Sequence, residues 1–165
     1  MSWNDYLNQL KTKRVPDGEI SNCVEKAAII SLSDISIWAC TEEFGLYGYD
    51  VEVPTEDGAG MQPIHVDEVD LLQHIVNHNG SCNSLAGIRI SNEKYFKVSS
   101  DESQGLIYLK KNGGGACIAK CDACIIFASW NSSQSTTGSH PQSQSPGLCN
   151  EQVEKLADYL KRCGY

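Results

Sequence analysis

Residues 116–130, ACIAKCDACIIFASW, contain two apolar runs on either side of a short polar turn. Each run has the length and the apolar content of a β-strand, and the turn falls near Cys121 and Asp122. Two strands joined by so short a connection run antiparallel, because a parallel pair needs a crossover of a dozen residues or more. The stretch therefore predicts a β-hairpin.

The sequence before this hairpin repeats the same pattern. Residues 24–32 and 35–41 predict one further hairpin, and residues 85–90 and 94–100 predict another, each with a polar turn between its strands. Residues 105–111, GLIYLKK, add a strand just before the glycines at 113–115. Sequential hairpins of this kind indicate an antiparallel sheet.

Helical periodicity is found in three segments, one at each end of the chain and one in the middle. The first begins at Ser2, which we expect to be the N-cap, and the second begins at Asp67 and ends at Gly80. The third covers residues 150–163. The apolar stripes are Trp3, Tyr6, Leu7 and Leu10; Val69, Leu72, Ile75 and Val76; and Val153, Leu156, Ala157 and Leu160.

Two segments lack a clear period. Residues 45–65 are rich in Gly, Pro and acidic residues and predict a long acidic loop, and the Ser/Gln-rich residues 131–146 predict an exposed, mobile loop. Together these elements predict a single α+β domain over residues 1–165. In it, we expect the antiparallel sheet to lie between layers of helices.

Charge and hydropathy exclude several classes of protein. The net charge of −8 argues against nucleic-acid binding. No run of 18 apolar residues could span a membrane, and no secretory signal is visible, so we expect a cytosolic monomer. The charge is also uneven: no Lys or Arg occurs between Lys26 and Arg89, whereas lysines are frequent in the strands that follow.

The eight cysteines raise the question of metal or redox chemistry. In a reducing compartment we expect free thiols that mostly pack as small apolar residues. Cys121 and Cys124 form a Cys-x-x-Cys pair, but they lie at a β-turn, and no second pair completes a zinc site. His74 and His78 lack a third ligand. The sequence therefore predicts neither a metal site, nor a cofactor, nor an enzyme.

The aromatic residues of the two terminal helices are the strongest functional signal from the residues themselves. Trp3 and Tyr6 share a face of the first helix, and Tyr159 and Tyr165 lie about two turns apart at the end of the last. Leucines already supply the core stripes of these helices. If the helices pack side by side, the rings form either additional core or a groove for a proline-rich ligand.

Four blocks of sequence together resemble the profilin family. They are MSW-x2-Y at residues 1–6, AAII with SIWA at 27–39, KK-x-GGG at 110–115, and PG-x-CN-x2-VEKLADYL-x3-GY at 146–165. They follow the family's order along most of the chain. The resemblance implies a central antiparallel sheet with the N- and C-terminal helices packed together on one face and a shorter helix or helices on the other. It also implies a protein that binds monomeric actin and proline-rich partners such as formins. It also implies regulation of actin nucleotide exchange and filament assembly, and phosphoinositide binding, although the net charge of −8 argues against the last of these.

The resemblance also implies two sets of binding residues. The proline-rich ligand would contact Trp3, Tyr6, Trp38, Tyr159 and Tyr165. Actin would contact the later strands and the start of the last helix, with the lysines steering an acidic partner. That set is Lys94, Phe96, Lys97, Lys111, Gly147, Asn150 and Glu154. The alternative function is a proline-motif adaptor with weak or lost actin binding.

Overall fold

The computed structural model describes all 165 residues, which form twelve strands and three helices. The helices are α1 (Trp3–Lys11), α2 (Glu68–Asn77) and α3 (Pro146–Arg162). The strands are β1 (Lys13–Val15), β2 (Gly18–Ser21), β3 (Ala27–Ser31), β4 (Ile37–Cys40), β5 (Gly48–Pro54), β6 (Met61–Asp67), β7 (Ile88–Ile90), β8 (Glu93–Asp101), β9 (Leu106–Lys111), β10 (Gly114–Lys120), β11 (Cys124–Asn131) and β12 (Thr137–Gly138).

Seven strands form one central antiparallel sheet, in the order β4-β3-β11-β10-β9-β8-β7. The three predicted hairpins are confirmed as β3–β4, β7–β8 and β10–β11. Strands β10 and β11 are almost entirely buried because both of their faces are covered. This explains why the sequence of the opening hairpin is continuously apolar instead of alternating.

The two faces of the sheet hold two separate cores. Alternate residues of β11 divide between them: Ile126 and Ala128 face α1 and α3, whereas Ile125 and Phe127 face α2. The terminal helices bury their predicted leucines in the first core. The predicted α+β fold, with both terminal helices on one face and the shorter helix opposite, is confirmed. No helix is long and apolar enough to cross a bilayer.

Helix α1 begins as the sequence predicts and is held at both ends. Ser2 and Asp5 form a capping box at its start, since the Ser2 hydroxyl accepts from the Asp5 N–H and the Asp5 carboxylate accepts from the Ser2 N–H. At its other end the buried side-chain amide of Gln152, on α3, donates to the carbonyl oxygens of Gln9 and Thr12, both at 2.9 Å. These bonds satisfy carbonyls that the end of the helix would otherwise leave unpaired.

The prediction of a long acidic loop at 45–65 is wrong. Residues 48–67 form an antiparallel ribbon, β5–β6, whose half-buried face contains Val51, paired with Ile64, and Val53. The prolines at 54 and 63 and the exposed acids on the other face concealed this alternation. Proline is tolerated here because both strands of a two-stranded ribbon are edges.

The buried carboxylate of Glu68, in the first turn of α2, joins this ribbon to the main sheet. Its oxygens accept from the Tyr47 N–H at 3.0 Å, the Tyr49 hydroxyl at 2.7 Å and the Asn92 N–H at 2.8 Å. Burial and the bond to Glu68 raise the pKa of Tyr49 to about 12. The sequence analysis placed Val69 in the core of this helix, but Val69 is exposed and Leu71 is buried.

Most residues of the Ser/Gln-rich segment 131–146 are exposed, as predicted, but the prediction of a loop missed the contacts that fix the segment to the domain. Its short strand β12 pairs with β2 and so completes a small sheet with β1. The buried Gln144 side chain accepts from the Asn131 N–H and donates to the Asn22 carbonyl. Polar side chains that bond to backbone hold this segment, and such bonds leave no periodic apolar signal.

Lys111 is only 4% exposed, at the end of β9. Its ammonium lies 2.9 Å and 3.2 Å from the two carboxylate oxygens of Glu25 and 3.5 Å from Glu93. It also lies 5.8 Å from the centroid of the buried Tyr95 ring. The charge of Lys111 is therefore neutralised inside the protein, in contrast to the exposed lysine that the sequence analysis assumed.

We expect Lys111→Met to lower the free energy of unfolding by about 3 kcal/mol, because removal of one partner leaves a largely buried carboxylate unpaired. The measurement is urea denaturation followed by circular dichroism. The neighbouring Lys110→Met is the matched control; Lys110 is exposed, so its loss should change stability by less than about 0.5 kcal/mol. Equal urea denaturation midpoints for the two variants would contradict the structural role of Lys111.

Candidate functional site

The structure brings all five predicted groove aromatics together. The centroid of Trp3 lies 4.6 Å from that of Trp38 and 5.5 Å from that of Tyr6, and Tyr6 in turn lies 6.0 Å from Tyr159. Tyr165 contacts Trp3 edge-on at 5.0 Å. The rings form a continuous row, Trp38–Trp3–Tyr6–Tyr159, with Tyr165 beside it. We call these five residues the aromatic row.

Each member of the aromatic row keeps part of its ring in solvent. Trp3, Tyr6 and Trp38 are half-buried against the core beneath them, and Tyr159 and Tyr165 are each 39% exposed. Five adjacent, accessible aromatic rings are more than an isolated domain needs for its core, and such patches are typical of ligand-binding surfaces. The sequence left two alternatives open for these rings, additional core or a ligand groove. The geometry supports the groove.

Secondary structure fixes the positions of these rings. Trp3 and Tyr6 project from neighbouring turns of α1, whose start is set by the Ser2 cap. The C-terminal residue Tyr165 is held by its backbone: its N–H donates to the Leu160 carbonyl, and its carbonyl accepts from the Ala123 N–H in the β10–β11 turn. The hairpin that opened the sequence analysis therefore also anchors one wall of the row.

The row has the geometry and the chemistry to hold a polyproline II helix. Its successive centroids, 4.6, 5.5 and 6.0 Å apart, correspond to at most about five residues of such a helix, which rises about 3.1 Å per residue. Flat rings stack on proline, and the Tyr hydroxyls can donate to its free carbonyls. The neighbouring Cys163 thiol raises the pKa of Tyr159. A tyrosine hydroxyl is protonated at neutral pH and can donate a hydrogen bond.

A second exposed surface lies on β8, towards the opposite edge of the sheet from Trp38. Phe96 is 61% exposed, and the Lys94 ammonium lies 5.4 Å from its ring centroid. Phe96 pairs with Lys110 across the strands, on the face that carries α3. We call this surface, with the start of α3, the β8 surface.

The start of α3 contributes the remaining helical residues of the predicted actin set. The Glu154 carboxylate accepts from the Tyr108 hydroxyl at 2.6 Å, which fixes α3 to β9. Burial and this bond raise the pKa of Tyr108. Gly147 is exposed with open space around it, and Asn150 is half-buried one turn later.

Two lysines of the predicted actin set do not join the β8 surface. Lys111 is buried against Glu25, as described above. Lys97 lies on the α2 face, where its side chain packs beside Gly80. Lys97 directly follows Phe96 in β8, before the β-bulge, so its side chain lies on the opposite face of the sheet. The resemblance gives positions along the chain but not the face on which each side chain lies.

Sequence analysis also missed two exposed residues beside Phe96. Val98, at the bulge, is 63% exposed, and Lys110 lies directly across from Phe96. The alternation in GLIYLKK could have identified Lys110, since it shares a face with Tyr108. Val98 could not be found in this way, because a bulge breaks the period of two.

The thiols and imidazoles do not assemble into a metal centre. No group of three His, Cys, Asp or Glu side chains is placed to hold an ion, and the rings of His74 and His78 stack on each other at 4.0 Å. Five of the cysteines are buried, Cys40 is half-buried, and only Cys82 and Cys163 are exposed. The buried thiols lie in the core beneath α1 and α3.

Comparison with known proteins adds three findings. The family model described as Profilin matches residues 1–165. Profilin of Tetrahymena pyriformis is 32% identical over 168 residues, which cover 99% of this chain and 98% of that protein. The structure of Acanthamoeba castellanii profilin IA superposes with a TM-score of 0.60 at 24% identity, over 87% of this chain and 89% of that one.

Mouse profilin IIa, solved in complex with a double repeat from the FH1 domain of mDia1, superposes with a TM-score of 0.56. It is 15% identical, and all of both chains is covered, so this likeness concerns the fold. The family model matches the whole chain, and the Tetrahymena protein is 32% identical; these two findings show family membership and not only a shared fold. On these grounds, this chain belongs to the profilin family.

Proposed function

We propose that this protein binds monomeric actin and proline-rich ligands of the formin type, and that it thereby regulates actin nucleotide exchange and filament assembly. Profilins are actin-binding regulators of the cytoskeleton and are not enzymes. The observation that carries the proposal is the aromatic row, in which residues from the two ends of the chain and from β4 form one accessible surface.

Two further observations support the proline-rich partner. The row is long enough for a short polyproline segment, and its Tyr hydroxyls are available as donors. Mouse profilin IIa, which shares the fold, was solved in complex with a double repeat from an FH1 domain, and we extend a partner of that class to this chain. We also infer that the protein acts as a monomer in the cytoplasm, in association with the actin cytoskeleton.

The actin partner is supported by family membership and by the β8 surface. Phe96 is a large apolar side chain exposed beside Lys94 and across from Lys110, and Val98 is exposed two residues later in β8. Exposed apolar side chains beside lysines are the composition of an interface centre with a basic rim. The positive rim suits an acidic partner. Phosphoinositide binding, which the resemblance also implied, remains a family expectation for this chain.

A proline-motif adaptor with weak actin binding is the second candidate function. One observation favours it: Lys111 is buried and Lys97 faces the α2 side, so part of the expected basic contact is missing from the β8 surface. Affinity for monomeric actin separates the two functions, since only the first requires it.

We expect Trp3→Ala to reduce the affinity for an octaproline peptide at least thirtyfold, because truncation of a central aromatic residue costs about 2 kcal/mol or more of binding free energy. Intrinsic tryptophan fluorescence, or calorimetry, measures the affinity. Tyr47→Ala is the matched control, since Tyr47 is 48% exposed but lies outside the row. Undiminished binding by a folded Trp3→Ala variant would refute the groove.

We expect Phe96→Ala to weaken binding of monomeric actin about tenfold or more and to leave octaproline binding unchanged, because Phe96 is the large exposed ring at the centre of the β8 surface. Analytical ultracentrifugation with labelled actin gives the affinity. Met61→Ala serves as control, since Met61 is 59% exposed on the β5–β6 ribbon. If Phe96→Ala binds actin as the control does, the interface lies elsewhere.

A further inference from the structure

A channel of about 700 Å³ continues from the end of the aromatic row along the seam between α1 and α3. Tyr159, the last ring of the row, also lines this channel. One wall consists of side chains from α1, including Asn8 and Gln9, and the other of side chains from α3, including Lys155 and Arg162. A ligand that leaves the row past Tyr159 therefore enters this channel.

The channel carries a positive charge although the chain as a whole carries −8. Four basic and two acidic side chains line it: Lys13, Arg14, Lys155 and Arg162, with Asp5 and Glu19. Lys13 is paired with Glu151 at 2.9 Å, and Asp5 is engaged in the cap of α1.

The charges that remain available are mostly positive. Arg14, Lys155 and Arg162 form no ion pair, and the two lining acids, Asp5 and Glu19, form none either. Glu19 lies across from Arg14 in the β1–β2 pair, so three cations face two acids. Lys155 and Arg162 are on the same flank of α3 as Tyr159, about one turn to either side of it along the helix, and Arg14 is on β1. A chain that leaves the row past Tyr159 therefore comes close to Lys155 and Arg162.

We propose that the channel selects proline-rich ligands whose proline run is flanked by acidic residues. The proposal rests on the proline-binding function proposed above and adds a specificity to it. A polyproline helix that covers the row places its next few residues within reach of Arg162 and Lys155, since each residue advances about 3.1 Å. Carboxylates there pair with the exposed Lys155 ammonium and with the exposed Arg162 guanidinium, whose Nε also donates to the Asp158 carbonyl at 3.4 Å.

The observations favour an acidic peptide over an anionic membrane surface. The channel is continuous with a row shaped for an extended chain, and the strongly negative remainder of the protein opposes close approach to an anionic bilayer. A phospholipid headgroup would use the same cations without contacting the aromatic rings. Binding to vesicles is therefore the contrasting outcome of the test.

The test compares four peptides by tryptophan fluorescence at low ionic strength. Each contains eight prolines; one has Gly-Ser-Gly at both ends, two have three aspartates at one end or the other, and the fourth has three lysines at both ends. We expect one aspartate peptide to bind about fivefold more tightly than the reference and the lysine peptide to bind more weakly. The gain should disappear in 0.5 M salt.

Charge-reversal variants test whether the higher affinity for the aspartate peptide depends on the cations of the channel. Lys155→Glu and Arg14→Glu should each reduce the gain from the aspartates while leaving the affinity for the uncharged reference within about twofold. Lys120→Glu is the control of equal charge change, because Lys120 lies on the α2 side of the sheet and bonds to Asn77. Lys155→Glu and Arg14→Glu should remain folded, since both side chains are exposed.

Two results would overturn the proposal. One is equal binding of the reference and both aspartate peptides by a protein that does bind the reference; proline binding would then stand and the acidic specificity would fall. The other is binding of phosphatidylserine-containing vesicles that Lys155→Glu abolishes, without any gain from the aspartates. Failure to bind the reference peptide would instead refute the proline-binding function itself.

Discussion

The side-by-side packing of the two terminal helices on one sheet face is the constraint on which the aromatic row depends. The buried amide of Gln152 on α3 bonds to the carbonyls that end α1, so the two helices share one hydrogen-bond network as well as one apolar core. This fixes their relative register. Because Trp3 and Tyr6 lie on α1, Tyr159 lies on α3 and Tyr165 follows the end of α3, the same register aligns their rings.

The fold separates the two candidate surfaces by construction. Trp38 lies on β4 and Phe96 on β8, with four strands of the central sheet between them. Strands lie about 4.8 Å apart, so a ligand on the row and a protein on the β8 surface contact different parts of the sheet. The core strands β10 and β11, buried on both faces, connect the two surfaces rigidly. This arrangement suits a protein that carries one partner while it is held by another.

Sequence patterns predicted the elements that bury apolar residues at a regular period, which are the terminal helices and three hairpins. They also predicted that the sheet lies between layers of helices. They failed where polar bonds build the structure. The β5–β6 ribbon and the 131–146 segment depend on Glu68 and Gln144, single buried polar residues without a periodic signature. Helical spacing predicted the shared face of Trp3 and Tyr6, whereas Trp38, on β4, was identified only by the resemblance. Burial of Lys111 depends on Glu25, which is 86 residues away in the chain.

The three tryptophans provide the most direct measurement of the central claim, since Trp3 and Trp38 belong to the aromatic row and Trp130 does not. Trp130 lies near the far end of β11, about 20 Å along that strand from the turn that holds Tyr165, at about 3.3 Å per residue. The experiment records indole N–H resonances by NMR during titration with octaproline. The account predicts that the resonances of Trp3 and Trp38 shift along one common binding curve while that of Trp130 stays in place. Equal shifts of all three, or a shift of Trp130 alone, would contradict it.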